Sequence, residues 1–346
     1  MFLHDKTLLL TGGTGSFGQK FTEIALKQLP KSIRVFSRSE HLQQEMSNRF
    51  SSDILRFFIG DVRDKDRLHR AMSGVDYVIH AAALKQVPTC EYNPREAVLT
   101  NIMGATNLID TAIDSGVKKV IAISSDKACQ PLNLYGATKL VMEKLLTQAN
   151  VYSKDTVFGC VRYGNVVGSK GSVIPLFLEQ QKRGYITITD TRMTRFWITL
   201  EQGAEFVISC LEKMSGGEIF VPKIPSMKLT DLADTVVPNT EKIEVGIRSG
   251  EKLNEVLITE DESRRAVEFD SYYVIPPEFP FWNLKLKGKQ LPEGFAYTSD
   301  TNTQWLDSRT MSDIVSDLLI DKDSRHKRMI DVLENDVKQM KSKRKK

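Results

Sequence analysis

The chain has 346 residues, of which 41% are hydrophobic and 27% are charged, as is ordinary for a globular protein with a substantial core. The net charge of +4, without a basic stripe that is interleaved with aromatic residues, argues against a nucleic-acid-binding role. No stretch approaches the ~18 consecutive apolar residues of a membrane span. At roughly 100–200 residues per domain, the length predicts two domains, or one large domain with a smaller lobe.

The cysteines and histidines bear on the compartment and on metal binding. The four cysteines, Cys90, Cys129, Cys160 and Cys210, form no CxxC pair, which favours reduced thiols over a disulfide framework. The segment before the first glycine-rich turn is too short for the apolar core of a signal peptide. The five histidines show no metal-ligand spacing. We therefore expect a soluble, cytoplasmic protein without a bound metal.

The first half of the chain alternates strand-like and helix-like segments. The predicted strands are Thr7–Leu10, Ile33–Ser37, Leu55–Ile59, Tyr77–Ala81, Lys119–Ser124 and Thr156–Val161. The predicted helices are Phe17–Leu29, Arg67–Met72, Ala97–Ser115 and Gly136–Ala149. This alternation indicates a parallel sheet with helices on both faces, and the near-continuous apolar strands fit burial on both faces. The sequence therefore predicts an α/β fold with a doubly wound parallel sheet.

The strand–helix rhythm breaks after about Asn165. Ser172–Arg183 is predicted to be helical, and Thr199–Gln202 is a capping box that begins a helix ending near Met214. Glycine and proline become frequent from Pro222 onward, which is typical of loops and short elements.

These changes divide the chain into predicted domains. Residues 1–165 form the main domain, to which 199–220 return, and residues 166–198 and 221–306 form a smaller C-terminal substrate lobe. Residues 307–346 form a C-terminal extension, and its last ~20 residues are predicted to be disordered because they are charged and lack an apolar stripe.

A glycine-rich turn joins the first strand to the first helix. Its residues are Gly12, Gly13, Thr14, Gly15, Ser16, Phe17 and Gly18. Glycines let the backbone turn tightly and approach a pyrophosphate, to which the helix N-terminus presents free N–H groups and the positive end of its dipole. Because the strand–loop–helix context accompanies the glycines, the turn predicts a Rossmann-type dinucleotide site.

The end of the second strand bears on the choice of dinucleotide. An NAD enzyme usually places Asp or Glu there, whereas Arg accommodates a 2′-phosphate, so Ser37-Arg38 favours NADP. Glu40 is close enough in sequence to leave NAD open as an alternative. Further cofactor contacts are expected after the third and fourth strands, from Asp61, Val62, Ala81 and Ala82.

A Tyr-x-x-x-Lys pair is the first candidate for acid–base chemistry. Tyr135 and Lys139 share one face of a predicted helix, and Ser124-Ser125 at the end of the fifth strand can supply a partner hydroxyl. We expect the Lys139 charge, helped by an oxidised nicotinamide, to lower the pKa of Tyr135 from its usual ~10. A phenolate can then take a proton from a sugar hydroxyl while hydride leaves the same carbon.

Asp126 and Lys127 directly follow this hydroxyl pair. The simplest alternative is an exposed charged pair at a strand end, and a plain reductase needs no additional acid and base. A sugar dehydratase needs both, because oxidation at C4 makes the C5 proton acidic and the departing C6 hydroxyl must be protonated. We expect Lys127 to be the base, with its pKa lowered by cations such as Lys139, and Asp126 to be the acid if it is held protonated.

Several motifs together resemble the inverting UDP-N-acetylglucosamine 4,6-dehydratases, a branch of the extended short-chain dehydrogenase/reductase family. They are the loop Gly12–Gly18, Ser37-Arg38, HAAALKQVP (His80–Pro88), SSDKA (Ser124–Ala128), YGATK (Tyr135–Lys139), RYGNVVGSKGSVIP (Arg162–Pro175), MTRFWIT (Met193–Thr199) and GIRSGEKLNEVL (Gly246–Leu257). The likeness runs from about Lys6 to Trp305. Gly294–Leu306 is similar to the branch that feeds pseudaminic acid synthesis, and the retaining sugar dehydratases carry Asp-Glu in place of Asp-Lys.

The resemblance implies an NADP-dependent hydro-lyase that acts on UDP-N-acetylglucosamine. Hydride moves from C4 to NADP+, water leaves across C5 and C6, hydride returns to C6, and C5 is reprotonated on the opposite face. The product would be UDP-2-acetamido-2,6-dideoxy-β-L-arabino-hexos-4-ulose, on the way to pseudaminic acid or related glycans. The family also implies a homo-oligomer.

The resemblance further implies roles for individual residues. Lys127 would be the C5 base, Asp126 the C6 acid and Tyr135 the C4 base, while Ser125 stands where the family commonly has Thr. Further cofactor contacts would come from Tyr135, Lys139, Lys85 and Val166. Substrate contacts would come from Lys85, Asn165, Val173, Arg195, Arg248 and Glu251, with the two arginines on the UDP phosphates.

Two other functions stay open on this sequence. A UDP-sugar 4-epimerase or ketoreductase would use Tyr135 and Lys139 but not Lys127. A non-catalytic NADP-binding sensor would need none of the acid–base residues. The presence of these residues argues against that function. The basic tail after Asp307 is interpreted as solvated, with binding to an acidic partner or a membrane surface as the alternative.

Overall fold

The computed structural model describes residues 1–169, 171–279, 284 and 286–320. The basic tail that the sequence predicts to be disordered lies outside these residues. Within them, no helix combines the length and the apolar character that crossing a membrane requires.

Short strands and helices follow one another along the whole described chain. The strands are β1 (Thr7–Thr11), β2 (Ser32–Ser37), β3 (Leu55–Ile59), β4 (Tyr77–His80), β5 (Lys119–Ile123), β6 (Val157–Val161), β7 (Asn165–Val166), β8 (Tyr185–Ile188), β9 (Thr194–Ile198), β10 (Ile219–Pro222), β11 (Ser226–Lys228), β12 (Glu241–Glu244), β13 (Val256–Ile258), β14 (Val267–Glu268), β15 (Tyr272–Ile275), β16 (Lys289–Gln290) and β17 (Tyr297–Thr298). The helices are α1 (Ser16–Leu26), α2 (Glu40–Phe50), α3 (Lys65–Met72), α4 (Val87–Tyr92), α5 (Pro94–Val98), α6 (Gly104–Asp114), α7 (Leu134–Ala149), α8 (Val173–Gln181), α9 (Leu200–Lys213), α10 (Leu229–Val236) and α11 (Glu260–Ser263). A π-helical turn (Leu99–Met103) precedes α6, a 3-10 turn (Asp126–Ala128) follows β5, and residues 308–320 are helical.

A ten-stranded sheet runs through the main hydrophobic core, in the order β16-β14-β15-β10-β6-β5-β4-β1-β2-β3. The strands from β10 to β3 in this order run parallel, whereas β15, β14 and β16 are joined antiparallel. The strand order reverses between β1 and β4, as in a doubly wound sheet. The predicted fold class is therefore confirmed.

The central strands are buried because their side chains are apolar on both faces. Leu8, Leu9 and Leu10 of β1 are all fully buried. Helix α1 packs against α9, while α6 packs against both α3 and α7. Since the two halves of a doubly wound sheet turn in opposite directions, right-handed connections place these helix groups on opposite faces.

The helix predicted over Ala97–Ser115 is interrupted in the structure. The π-helical turn at Leu99–Met103 carries Asn101, which accepts a hydrogen bond from the Leu84 N–H (2.8 Å) and donates one to the Leu84 carbonyl (2.9 Å). A π turn adds one residue to a helical turn, and such turns are frequent at functional sites. Here it ties the loop after β4 to the helix.

A second hydrophobic cluster lies in the smaller lobe. Its members include Ile174, Phe177, Ile186, Trp197, Leu232, Met311 and Val315. The helix at 308–320 contributes Met311 and Val315, which lie four residues apart on one helix face. The segment 308–320 therefore packs as part of this lobe, which differs from the predicted boundary at 307.

The main sheet also takes in part of the predicted lobe at 221–306. β15 pairs antiparallel with β10, with Ile275 opposite Ile219, and β14 and β16 continue the sheet edge. Val274 and Ile275 are buried in the main core. The chain between β10 and β15 passes through the smaller lobe and is long, so the alternation of strands and helices does not reveal this antiparallel pairing.

Candidate active site

A cavity of about 1060 Å³ lies at the carboxyl ends of the parallel strands. Its lining includes the residues that directly follow β1, β2, β4 and β5, which are Gly12, Arg38, Ala81 and Ser124. In open α/β sheets, ligands bind at this edge where the strand order reverses. The volume is at the upper end of the roughly 300–1,000 Å³ that small-molecule sites occupy, so it leaves room for a large ligand.

The structure brings almost all predicted site residues to this cavity. Those that line it are Gly12, Thr14, Gly15, Ser16, Phe17, Gly18, Ser37, Arg38, Asp61, Val62, Ala81, Ala82, Lys85, Ser125, Asp126, Lys127, Tyr135, Lys139, Asn165, Val166, Val173, Arg195, Arg248 and Glu251. Gly13 does not line the cavity, and a Cβ there would lie 2.9 Å from Val35 and 3.0 Å from the Leu10 carbonyl. Gly13 therefore packs closely on the core, and its predicted contact with the cofactor stays a prediction.

The glycine-rich loop leaves space beside its backbone. Gly12 has a φ of +66°, and a Cβ there would lie 2.8 Å from the backbone of Ala81 and Ala82. A Cβ on Gly18 would overlap the backbone of the loop. The N-cap residue of α1, Gly15, has no side chain that could bond the first N–H groups of the helix. The loop and the helix terminus therefore fit a pyrophosphate.

Arg38 is the charged residue after β2 that lines the cavity, whereas Glu40 does not line it. Arg38 is exposed, and among the described residues its guanidinium has no carboxylate partner within ion-pair distance. The charge of Arg38 also acts on Asp61, whose pKa is lowered overall. Burial raises this pKa, but hydrogen bonds and charge from Arg63, together with the charge of Arg38, outweigh burial. The guanidinium is thus available for an anionic group.

A tight turn holds Ser125, Asp126 and Lys127 together after β5. The Ser125 side chain accepts a hydrogen bond from the Lys127 backbone N–H (3.1 Å) and donates one to Asp126 Oδ1 (2.8 Å). The Lys127 ammonium donates to the same Asp126 oxygen at 3.1 Å and lies 3.3 Å from Glu255 Oε1. Asp126 is 1% exposed, so the pair is not the exposed charged pair of the alternative interpretation.

The charge state of Lys127 differs from the prediction. Burial lowers its pKa, but the nearby Asp126 and Glu255 carboxylates outweigh burial and raise the pKa above its ordinary value, against a smaller opposing effect of Arg195. The cation with the largest lowering effect on this pKa is Arg195, whereas the prediction named Lys139, whose ammonium donates to the Ile123 carbonyl (2.6 Å). Lys127 is therefore an ammonium in this structure.

Tyr135 and Lys139 lie on α7, which Asn133 caps by accepting a hydrogen bond from the Gly136 N–H (2.8 Å). Burial raises the pKa of Tyr135 to about 12, although the Lys127 charge and a hydrogen bond with Ser125 act to lower it. Burial lowers the pKa of Lys139 to about 8. The expectation that Lys139 lowers the pKa of Tyr135 is corrected, since Lys127 is the cation that acts on it.

The two predicted phosphate-binding arginines differ from each other. Both terminal nitrogens of Arg195 donate to protein atoms, including the backbone carbonyls of Leu253 (2.9 Å) and Lys252 (3.0 Å). Together with the bonds to Thr194 and Met193, these bonds occupy the two terminal nitrogens that a bidentate contact with phosphate needs. The Arg248 side chain is 60% exposed and forms a long ion pair with Glu251 (3.9 Å), so its fork is accessible to an anion.

Lys85, Asn165, Val166 and Val173 complete the predicted lining. Lys85 directly follows Leu84, which is hydrogen-bonded to Asn101. Burial lowers the pKa of the Lys85 ammonium. Asn165 and Val166 form β7, which pairs with β9. The cavity therefore draws its walls from both the main sheet and the smaller lobe. Within the described residues, no cluster of three or more His, Cys, Asp or Glu has a metal-binding arrangement.

The sequence is similar to known proteins over most of its length. The family described as polysaccharide biosynthesis protein matches residues 8–277. A Campylobacter jejuni protein named UDP-N-acetylglucosamine 4,6-dehydratase (inverting) is 52% identical over 325 residues, which cover 90% of this chain and 97% of that protein. The chain belongs to the polysaccharide biosynthesis protein family. The resemblance predicted from the motifs is confirmed.

Other proteins that are similar to this chain have different names. A Rickettsia canadensis protein named UDP-glucose 4-epimerase is 45% identical over 283 residues, which cover 79% of this chain and 83% of that protein. The X-ray structure of Pen from Bacillus thuringiensis matches with a TM-score of 0.85 at 41% identity, covering 92% of this chain and 99% of that one. The family fold is thus shared over nearly the whole chain.

For this member of the polysaccharide biosynthesis protein family, the sequence did not single out Glu255. It is 3% exposed, lines the cavity and contacts Lys127, although 128 positions separate the two residues. Its only signal in the sequence is its place in the motif Gly246–Leu257, where Arg248 and Glu251 attract attention first.

Proposed function

We propose that the protein is an inverting UDP-N-acetylglucosamine 4,6-dehydratase, a hydro-lyase that uses and regenerates a nicotinamide cofactor. The observation that carries this proposal is the Asp126–Lys127 pair, whose charged groups lie 3.1 Å apart at the cavity that Tyr135 also lines. Dehydration requires an acid and a base in addition to the group that assists oxidation at C4. The C. jejuni relative bears the name of this activity.

We propose NADP as the cofactor. The glycine-rich loop offers space for the pyrophosphate, and Arg38 offers a free guanidinium for the 2′-phosphate. When bound, NADP+ supplies the hydride acceptor for C4, the hydride donor for C6 and a positive charge that favours the Tyr135 phenolate. Because the hydride returns to the substrate, the reaction has no net redox change.

Tyr135 takes the proton of the C4 hydroxyl in this mechanism. Burial favours its neutral phenol, so oxidation needs positive charge nearby to stabilise the phenolate. The Lys127 ammonium is one such charge. Lys127 therefore assists the oxidation step in the protonated state that the structure favours.

One proton transfer then converts Lys127 and Asp126 into a base and an acid. An N–H bond of Lys127 breaks and an O–H bond forms at Asp126 Oδ1, across the 3.1 Å contact. The neutral amine removes the C5 proton, and Asp126 gives its proton to the C6 oxygen, which leaves as water. Lys127 is then an ammonium again and Asp126 a carboxylate.

Inversion follows if the final proton comes from another group. After hydride returns to C6, the Tyr135 hydroxyl donates the proton that it took from the C4 hydroxyl to C5, on the face opposite Lys127. Each proton that the residues accept is thereby returned. The product is UDP-2-acetamido-2,6-dideoxy-β-L-arabino-hexos-4-ulose.

Substrate binding is proposed for residues of both lobes. Arg248 contacts the UDP phosphates, supported by its exposed guanidinium, with Glu251 beside the uridine. Lys85, Asn165 and Val173, which line the cavity, are assigned to the sugar. Arg195 contributes positive charge and holds the segment around Lys252 in place rather than binding phosphate through its fork.

A second candidate is a UDP-sugar 4-epimerase, which the name of the R. canadensis relative favours. Epimerisation uses Tyr135 and Lys139 and leaves the C6 oxygen in place. The buried contact of Asp126 with Lys127 has no task in that reaction. We therefore rank dehydration first.

Mass spectrometry of UDP-N-acetylglucosamine incubated with the purified protein and catalytic NADP+ tests the proposal. We expect the nucleotide sugar to lose the mass of one water without accumulation of NADPH. An unchanged mass would overturn the proposal for this substrate.

We also propose a cytoplasmic, homo-oligomeric enzyme at the start of a route to pseudaminic acid or related glycans. The four cysteines are free and buried, which suits a reducing compartment. Size-exclusion chromatography with light scattering would test the oligomeric state, and a monomer would contradict it.

A further inference from the structure

Glu255 is fixed beside the catalytic turn by its own backbone. The residue is 3% exposed and directly precedes β13. Its N–H donates to Ser299 Oγ (2.9 Å), and its carbonyl accepts from the Ser299 N–H (2.9 Å). Ser299 is itself fully buried and hydrogen-bonded to Thr194 Oγ1 (2.6 Å). A rigid backbone therefore determines where the Glu255 carboxylate lies.

The Glu255 carboxylate lies between two cations. Its Oε1 atom is 3.3 Å from Lys127 Nζ and 3.7 Å from Arg195 Nε. Its Oε2 atom is buried and has no hydrogen-bond partner among the described residues. A buried carboxylate needs compensation for its lost hydration, and here the two cations provide it.

We propose that Glu255 is a positioning residue for dehydration, whose carboxylate holds the Lys127 amine beside Asp126 and compensates the charge of Arg195 while the proton moves from Lys127 to Asp126. The inference rests on the proposed function because that function supplies the reaction in which Lys127 acts. The position of the Glu255 carboxylate between the two cations is independent of the proposed function.

The charges around Lys127 explain why this carboxylate matters. Asp126 and Glu255 carry negative charge, Lys127 and Arg195 carry positive charge, and the neutral phenol of Tyr135 also faces Lys127. When the proton passes from Lys127 to Asp126, the Glu255–Arg195 pair remains neutral. Without the Glu255 charge, Arg195 would be uncompensated, and Lys127 would lose its proton at lower pH.

Competitive acetylation of Lys127 in the full-length, substrate-free protein tests this inference. The reactivity of Lys127 towards acetic anhydride is followed against pH by peptide mass spectrometry. In Glu255→Gln, the reactivity should appear about one to three pH units lower than in the wild type, as expected for removal of one adjacent charge. Glu260→Gln removes an exposed carboxylate and should leave the profile unchanged.

Further variants and kinetics separate positioning from a structural role. Glu255→Asp withdraws the carboxylate by one methylene and should give an intermediate shift, which also provides a test if the Gln variant fails to fold. In dehydration assays, Glu255→Gln should lower kcat with little change in KM for UDP-N-acetylglucosamine. Rescue of kcat by Glu255→Asp would support the inference.

The outcomes distinguish this inference from the proposed function. Identical acetylation profiles for wild type and both Glu255 variants would overturn the positioning role. A rise in KM at unchanged kcat would also overturn it. A wild-type protein that dehydrates no substrate would contradict the proposed function, whereas a shifted acetylation profile would still support the link between Glu255 and Lys127.

Discussion

At Lys127, one ammonium group meets two carboxylates within 3.3 Å. Their attraction exceeds the cost of burial, so the amine is protonated until a nearby group accepts its proton. In the proposed mechanism, Asp126 is such a group, and the transfer makes the acid and the base together. The proposed catalytic pair is therefore a unit, and neither residue acts as a free acid or base on its own.

Lys127→Met keeps much of the side-chain length and removes the amine. We expect dehydration to fall about 10²–10⁴-fold, which is the typical contribution of a positioned acid–base group. The measurement is deuterium incorporation at C5 in D2O, followed by NMR. Lys182→Met, at an exposed position on the smaller lobe, is the control. C5 exchange at the wild-type rate in Lys127→Met would show that another group is the base.

Arg38→Ala tests the cofactor preference. Loss of a charge-assisted phosphate contact should weaken NADP+ binding about tenfold to hundredfold and leave NAD+ binding nearly unchanged. Isothermal titration calorimetry with both nucleotides measures the effect, with exposed Lys31→Ala as the control. Equal losses of affinity for NADP+ and NAD+ would show that Arg38 does not contact the 2′-phosphate.

Spacing in the sequence predicts which catalytic residues meet but not how they are charged. Tyr135 and Lys139 share a helix face, and Asp126 and Lys127 lie in the turn after a strand, so local patterns suffice to bring them to one edge of the sheet. The pKa of Lys127 is raised first by its sequence neighbour Asp126 and then by Glu255, 128 positions away. The predicted direction of the pKa shift was wrong because it considered neighbouring cations and not these two carboxylates.

At the scale of elements, a buried arginine joins β6, α7 and α11. Arg162 is 1% exposed and donates to both oxygens of Glu143 (2.9 and 2.7 Å) and of Glu262 (3.0 and 2.9 Å). It also donates to the Leu257 carbonyl (2.9 Å) in β13, just after Glu255. The helix that carries Tyr135 is thus tied to the segment that carries Glu255.

Glu143→Gln removes one charge from this network. Because a buried Arg162 would lose part of its compensation, we expect destabilisation near the lower end of about 3–5 kcal/mol. Urea unfolding followed by circular dichroism measures it. Asp110→Asn, in an exposed pair with Lys65, should cost at most about 1 kcal/mol. Equal costs for the two variants would contradict a structural role for the network.

The helix at 308–320 supplies a second prediction at this scale. Met311 is fully buried in the cluster of the smaller lobe, so Met311→Ala should destabilise the protein by about 2–5 kcal/mol. Leu319→Ala, at a residue that is 39% exposed, should change stability by no more than about 0.5 kcal/mol. Thermal unfolding of both variants measures the difference, and similar melting temperatures would mean that the helix does not stabilise the lobe.

Across the whole molecule, the alternation of strands and helices predicts the parallel sheet and its helix layers, because each strand carries its own apolar run. It does not predict β15, whose pairing with β10 spans a long stretch of chain, or the packing of Met311, which follows a region rich in loops. Both depend on contacts between distant segments. The glycine-rich turn is predicted well because its constraints are local.

The cavity unites these parts into one site. The main sheet supplies the glycine-rich loop and the acid–base turn, while segments after residue 165 supply Arg195, Arg248 and Glu255. The main sheet alone would hold a dinucleotide and a Tyr-x-x-x-Lys pair, which oxidoreductases and epimerases also need. The Asp126–Lys127 pair on the turn after β5 is what favours dehydration in our proposal, and the later segment adds the Glu255 carboxylate beside Lys127.

The most direct measurement is an NMR analysis of the product from UDP-N-acetylglucosamine that carries deuterium at C4, with the wild-type protein and catalytic NADP+. We expect a 4-keto sugar with deuterium at C6 and an inverted C5, because the hydride taken from C4 returns to C6. Deuterium retained at C4 in a sugar that keeps its C6 hydroxyl would contradict dehydration, and inversion at that C4 would identify an epimerase.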